Sequence, residues 1–310
     1  MSDTYEVIID GHRLGTGLLM PTVEEVMLSD ALTVYPQEWL MPPKDIERCL
    51  IINGQPRYIS DRKKRKKRMR NQDRLGKCNA SSNASGGEQC REEQGMPHIA
   101  LSDCFTYLQV NGGKDQGSGL PSTYTNCQQV GWSPYLLQCG GMTKTFPNDA
   151  YNKSQVPADV LKQAYVESSR FRGIRFIKLP TDDFKLFCHA AASAIARGQP
   201  IIFAWHVGSN GSRLKNGYVQ VDSRGLGNHS NVFHSGKWVG GDEMVHPDDQ
   251  NSWGPVEDEI YGPKGPAWGD GGFGLFTMED AFRCAHIHPP YIMVSIGVDE
   301  ADAAFGGTKK

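Results

Sequence analysis

Gln250-Asn251-Ser252-Trp253-Gly254 is the stretch on which the reading of this chain turns. An asparagine beside a tryptophan suits one task well. Its carboxamide oxygen takes the N–H of a histidine ring, fixing tautomer and orientation, and the neighbouring indole keeps water off that bond. A buried tryptophan in a tight strand-end turn is the plain alternative. What separates the two is whether a thiol, a histidine and an oxyanion donor lie upstream at workable separations, and they do.

The thiol is Cys78, in Asn71-Gln72-Asp73-Arg74-Leu75-Gly76-Lys77-Cys78-Asn79-Ala80. A free thiol is mostly protonated near neutral pH, and a helix N-terminus with an imidazolium beside it makes thiolate available. The side-chain amide of Gln72 and the backbone N–H of Cys78 can converge on a developing oxyanion. With Asn-Ser-Trp-Gly, this Gln…Cys spacing resembles the papain-like (C1) cysteine peptidases, in a divergent form. There a glutamine six residues ahead of the nucleophile supplies the oxyanion amide. Two positions depart from that pattern: Leu75 stands where the family has a second cysteine, and Asn79 where it has an aromatic. Cys90 is a competing thiol, and the Gln72 spacing favours Cys78.

The resemblance implies a catalytic histidine at the start of a strand, ahead of Asn251. His229 lies 151 residues after Cys78 and 22 before Asn251; His234, the alternative, lies 17 before it. His229 is preferred because Gly227-Asn228 precedes it. Residues five apart on a regular strand point to opposite faces, so the two cannot both aim at one sulfur. His246 reads as a surface turn residue, and His189 and His206 as structural histidines. Asn111-Gly112-Gly113 resembles the glycine loop along which the family lays substrate backbone, with Trp253 at the other side of the cleft.

Around these residues the pattern is mixed. Ser102 caps an apolar helix over 101–108, and a short helix over 122–130 stops at Gly131. Residues 160–169 read as a helix and 172–179 as a strand. The helix over 182–197 is the clearest, with Phe184, Phe187, Ala191, Ala194 and Ile195 on one face. Ile201–Val207 reads as a buried strand, Thr277 as a cap and 291–298 as a last strand. Asn79–Ser85 is rich in poor helix formers and meets Gly86-Gly87, so a helix after Cys78 is expected to stop there. An acidic, Pro/Gly-rich insertion, 255–267, separates the Asn-Ser-Trp-Gly turn from Trp268-Gly269-Asp270-Gly271-Gly272-Phe273 and is expected at one end of the cleft.

Residues 61–70 contain Arg62, Lys63, Lys64, Arg65, Lys66, Lys67, Arg68 and Arg70. Such a run repels itself and reads as an exposed loop. Its sharp reading is a patch for nucleic acid or another polyanion, and its bland one a solvated loop; no aromatics are interleaved for base stacking. The whole chain carries a formal charge of only −2, so no overall attraction to nucleic acid or membrane is implied. No apolar run is long enough to cross a bilayer. Residues 1–10 lack a basic region followed by an apolar core, so an intracellular protein with eight free cysteines is expected. No spacing selects a metal, and no cofactor is expected.

The sequence reading is therefore an α+β, papain-like two-lobed fold over 57–298. A helical lobe at about 57–165 carries Cys78, and a β-barrel-like lobe at about 166–298 carries His229 and Asn251. An extension (1–56) and a tail (299–310) flank it, and a removable inhibitory prosegment within 1–56 is the minor reading of that extension. The resemblance implies thiol-dependent hydrolysis of a polypeptide by Cys78, His229, Asn251 and Gln72. Two other readings stay open. One is an inactive papain-fold binding protein of a larger assembly such as a phage virion, touching nucleic acid through the basic run. The other is amide hydrolysis or acyl transfer on a non-protein substrate.

Overall fold

The structure is a computed structural model, describing residues 6–9, 12–20, 22–135, 153–171, 173–208, 213–222, 225, 227–256 and 268–295. The chain opens with a hairpin of β1 (Glu6–Ile9) and β2 (His12–Gly15), then α1 (Val23–Asp30). Thr22 and Glu25 close a reciprocal capping box that sets the start of α1, with Thr22 as its cap. Next come α2 (Pro43–Leu50), a short pair of β3 (Ile51–Ile52) and β4 (Gln55–Pro56), and α3 (Arg57–Lys66). The helical part follows: α4 (Cys78–Glu93), α5 (Asp103–Val110), α6 (Leu120–Val130) and α7 (Ala158–Ser168).

The rest is built on strands: β5 (Ile174–Lys178), then helix α8 (Phe184–Ala196), β6 (Ile201–Trp205), β7 (Leu214–Lys215) and β8 (Tyr218–Val219). After them come β9 (His229–Gly240), β10 (Met244–Gln250), β11 (Phe273–Leu275), helix α9 (Met278–Ala285) and β12 (Tyr291–Ser295). Strands 5 to 12 form one eight-stranded sheet in the order β5-β12-β6-β9-β10-β11-β8-β7. This is the expected α+β arrangement. One face of the sheet packs Phe203, Trp205, Phe233 and Phe276 against α8 and α9. The other turns Ile202, Ala204, Val232 and Met293 toward α4, Leu120, Tyr124 and Trp132. A third cluster, with Phe105, Tyr107 and Leu108, fills the helical side.

The helix after Cys78 does not stop at Gly86-Gly87. It runs on for 16 residues, and everything from Cys78 to Cys90 is buried. Burial explains why weak propensity loses here, since tertiary packing supplies most of a helix's stability. Both glycines sit where the helix presses on its neighbours. A Cβ at Gly86 would strike the Met293 sulfur, and one at Gly87 would come within 3.2–3.3 Å of Leu101 and Trp132. The polar side chains are paired rather than exposed: Ser81 Oγ donates to Asp103 at 2.8 Å, and Gln89 donates to the carbonyls of Gly198 and His234 at 2.9 Å each.

The basic run also departs from expectation. Residues 61–66 are helical, and Arg65 and Arg70 are buried. Arg62 reaches Asp248 and Asp270, while Lys64, Arg65 and Arg68 converge on Glu92. Arg70 pairs with Glu88. Acids distant in sequence thus absorb the charge and tie α3 to α4 and β10. Lys63, Lys64, Lys66 and Lys67 remain at the surface. The cysteine expectation is corrected too: Cys104 is disulfide-bonded, whereas Cys49, Cys78, Cys90, Cys127, Cys188 and Cys284 are free. The insertion at 257–267, the segment 136–152 and the tail from 296 lie outside the described residues. Among the described residues, no helix is long and apolar enough to cross a membrane.

Candidate active site

Cys78 is the first residue of α4, so its thiol stands at the positive end of a helix dipole. It is fully buried. Burial pushes its pKa up to about 11, against the backbone amides of Gly17, Ser230 and Asn79, which favour the thiolate. Contact with the Ser230 amide puts the thiol beside the first residues of β9, where His229 is the opening residue.

His229 Nε2 and Asn251 Oδ1 are 2.9 Å apart. With Nε2–H donating to the carboxamide, the Nδ1 atom is left as the unprotonated base. The ring lies on the Trp253 indole, with centroids 4.0 Å apart and planes 17° from parallel. The Trp205 ring meets it at 72°. Burial lowers the His229 pKa to about 4, while Asn251 and Asn231 both favour its charged form. Both members of the candidate pair are therefore neutral at pH 7 in this state. His234 is elsewhere engaged: its Nε2 is 3.1 Å from Asp248, and its ring meets Phe273. Asn251 thus holds His229, the preferred of the two.

Gln72 reaches the same place through the Asn-Ser-Trp-Gly turn. Its backbone N–H donates to the Ser252 carbonyl at 2.9 Å, and its side-chain oxygen accepts from the Ser252 hydroxyl. Asn71 and Trp253 pair as an isolated bridge, and Gly254 N–H donates to the Arg70 carbonyl at 3.0 Å. Residues 70–72 and 252–254 therefore form one seam, which links the Cys78 side to the Asn251 side. Gln72 Nε2 donates to the Leu75 carbonyl at 2.8 Å, in the turn that leads to Cys78.

The Asn111-Gly112-Gly113 loop is a tight turn. Asn111 Oδ1 accepts from Gly113 N–H at 2.9 Å, and both glycines have positive φ (66° and 86°). The backbone that carries an added strand lies further on, at Gly117-Ser118. Ser118 N–H donates to Gly17 O at 2.8 Å, and Leu19 N–H donates to Ser118 O at 3.1 Å. Leu18 N–H donates to Asn228 O at 3.1 Å, on the opposite side. Residues 16–19 thus thread between the two halves and over Cys78. Gly17 is held so closely that a Cβ there would collide with the Gly76 carbonyl. Polar pins secure the segment: Glu25 binds the Ser122 hydroxyl, and Tyr291 Oη donates to Ser29 Oγ at 3.2 Å. Gly117 and Ser118 close the glycine-rich stretch 111–118, whose Asn111-Gly112-Gly113 end was the part singled out in sequence.

Three other histidines weighed in the sequence are placed as follows. His189 Nε2 lies 2.6 Å from the Met41 carbonyl, a structural contact of α8. His206 falls one residue beyond β6 instead of inside it. His246 is not in a turn but within β10, with Nδ1 2.8 Å from Tyr218 Oη and Nε2 3.1 Å from Glu243. Among the described residues, no cluster of three or more His, Cys, Asp or Glu is placed to hold a metal.

Comparison with solved structures bears on the fold. Xylellain, a cysteine protease from Xylella fastidiosa, superposes with a TM-score of 0.51 at 17% identity, over 96% of this chain and 97% of that one. The fold is papain-like. The Amb a 11 cysteine protease, a major ragweed pollen allergen solved in its proform, gives a TM-score of 0.50 at 14% identity, over 74% of this chain and 61% of that one. No family model matches the chain, and no curated protein matches it by sequence. The papain-like likeness is thus carried by shape.

Proposed function

We propose that the chain is a latent cysteine peptidase, with Cys78 as nucleophile, His229 as proton carrier, Asn251 as its orienter and Gln72 as oxyanion donor. The observation that carries this reading is the His229–Asn251 hydrogen bond, stacked on Trp253, next to a thiol that heads a buried helix. The Cys78 sulfur attacks a peptide carbonyl, and the backbone N–H of Cys78 with the Gln72 amide steadies the oxyanion. The C–N bond then breaks as His229 passes its proton to the leaving amine. Water, deprotonated by His229, hydrolyses the thioester and frees the sulfur.

A polypeptide substrate would take the path now filled by residues 16–19, adding its backbone to Ser118 on one side and Asn228 on the other. While that segment is in place, substrate is excluded and the dehydrated thiol and imidazole stay neutral. Release of the segment re-admits water, favouring the thiolate–imidazolium pair. A second reading, a binding protein with an inert thiol, draws on the same neutral pair and on Asn79 beside the nucleophile.

One experiment separates them. A full-length chain carrying a site-specific cleavage sequence after Met20 is folded intact, cut, and separated from residues 1–20. The cut protein should hydrolyse fluorogenic peptides, and iodoacetamide at pH 5–6 should label Cys78 at least about a hundredfold faster than the other free thiols. Cys78→Ala should abolish both. Equal labelling of the free thiols in folded, cut protein overturns the peptidase reading in favour of the inert one.

A further inference from the structure

Two residues beyond His229, on the same side of β9, stands a second asparagine. Asn231 is buried, and its Nδ2 donates to Asp249 Oδ2 at 2.7 Å. Its own Oδ1 has no partner among the described residues, and neither has His229 Nδ1. The Asn231 amide faces the imidazole and favours its charged form, as Asn251 does. Both asparagines lie with Ser81, Ser82, Ser85 and Ser230 along a polar crevice between α4 and the β9–β10 pair that is too narrow to admit a water. An unpaired carbonyl oxygen buried this deeply is costly unless some state of the protein uses it.

We infer that Asn231, anchored by Asp249, is a positioning residue for His229: its carboxamide oxygen receives the imidazolium when the ring takes up the thiol proton. The ring would then be flanked by two carboxamides, Asn251 on Nε2 and Asn231 near Nδ1, so that its charge is met without bulk water. The proton moves from Cys78 Sγ to His229 Nδ1, and no bond to Asn231 is made or broken. This inference rests on the assignment of Cys78 and His229 as the reacting pair.

Asp249 is suited to the anchoring task as a neutral acid. Burial raises its pKa well above the ordinary carboxylate range, the Asn231 hydrogen bond opposes that, neighbouring Asp248 reinforces it, and Arg62 opposes it. Arg62 itself is committed to Asp248, through Nε at 2.8 Å and Nη2 at 2.5 Å. With its neutral form favoured by burial, Asp249 accepts from Asn231 through Oδ2. Asparagine offers the same acceptor, which yields a discriminating expectation.

The test uses the chain folded intact and then cut after Met20. Asn231→Leu should lower kcat/KM about tenfold or more, mainly through kcat. It should also move the alkaline limb of the rate profile, which reports loss of the imidazolium, down by about half to one pH unit. Asp249→Leu should do the same, since it frees the Asn231 amide. Asp249→Asn should keep both rate and profile within about twofold of wild type. Rates are taken per site titrated by iodoacetamide, so unfolded protein does not count. An active wild type whose profile is unmoved by Asn231→Leu, or a large loss from Asp249→Asn, overturns this inference alone. A cut wild type without activity overturns the peptidase reading and this inference with it.

Discussion

The imidazole of His229 lies face to face on the indole of Trp253, 4.0 Å between centroids, in the plane that lets its Nε2 reach Asn251. Two residues of one short turn therefore do complementary jobs. Asn251 fixes the tautomer, and Trp253, fully buried, seals the hydrogen bond from water and fixes the tilt of the ring. The turn is itself held by Gln72 and Arg70 from the other half of the chain.

Replacing Trp253 by alanine should therefore damage two things at once. Removing so large a buried side chain costs about 3–5 kcal/mol of stability. The ring of His229 would also lose its backing, so kcat/KM of the cut protein should fall by more than unfolding explains. Trp253→Phe keeps an aromatic plane and should retain most activity. Thermal melts with kcat/KM per titrated thiol check this, and equal losses in the two variants would show that the indole only fills space.

Acidity gives a second expectation. In the intact chain the Cys78 thiol is held at about 11 and His229 at about 4, both by burial first. Thiolate is the reactive form, so alkylation of Cys78 in the intact chain should climb steadily from pH 7 toward pH 11. After cutting, a thiolate–imidazolium pair should give a plateau of fast labelling that already begins in mild acid. His229 also affects stability. Its folded pKa lies below the unfolded 6.5, so its contribution is present above about pH 6.5 and is lost as pH falls toward 4. His229→Gln should flatten that part of a stability–pH curve measured by urea melts.

The sequence was informative where chemistry forces identity and quiet where packing decides. Gln72, Cys78, His229 and Asn251 could be picked out as candidates because few residue types suit the roles proposed for them, and the fold brings His229 within 2.9 Å of Asn251. The long helix α4 could not, because its Ser, Asn and Gly residues argue against a helix until Met293 and Trp132 press on Gly86 and Gly87. The basic run was expected as an exposed loop, whereas residues 61–66 are helical and Glu92, Asp248 and Asp270 pair with Arg62, Arg65 and Arg68 from positions that only the fold brings near. Asn231 and Asp249 went unnoticed because a polar pair buried in a strand looks like any exposed one in sequence. The segment 16–19 carries no motif at all; its importance lies in its path.

That path depends on Gly17, which passes so near Gly76 and Gly117 that any side chain must push the segment away. Gly17→Val should loosen residues 16–19 from Ser118 while every candidate catalytic side chain keeps its identity. The uncut variant should then label at Cys78 at least about tenfold faster than the uncut wild type, and show peptide hydrolysis that rises accordingly. Labelling that stays at the wild-type rate in folded protein would mean that the segment does not govern access to the thiol.

Arg70 supplies the last test, because it leads straight into the seam that holds the Asn-Ser-Trp-Gly turn. Its guanidinium is buried, paired with Glu88, bonded to Ser85 Oγ at 3.0 Å and to the Leu101 carbonyl at 3.0 Å. Asp103, 3.6 Å away, retains Lys77 at 3.1 Å, so Glu88 is the acid that loses its direct ion-pair partner when Arg70 is removed. Arg70→Met should cost about 3–5 kcal/mol at pH 8, since an unpaired buried carboxylate is the dearest element of a broken pair. Burial already pushes the Glu88 pKa up and Arg70 opposes it, so losing Arg70 raises it further. The folded state then prefers the protonated acid, and the loss should shrink as pH falls from 8 to 5. Adding Glu88→Leu to Arg70→Met should recover much of the stability at pH 8. Urea melts at both pH values decide it: a loss that ignores pH, with no recovery in the double variant, would show that the pair does not brace this seam.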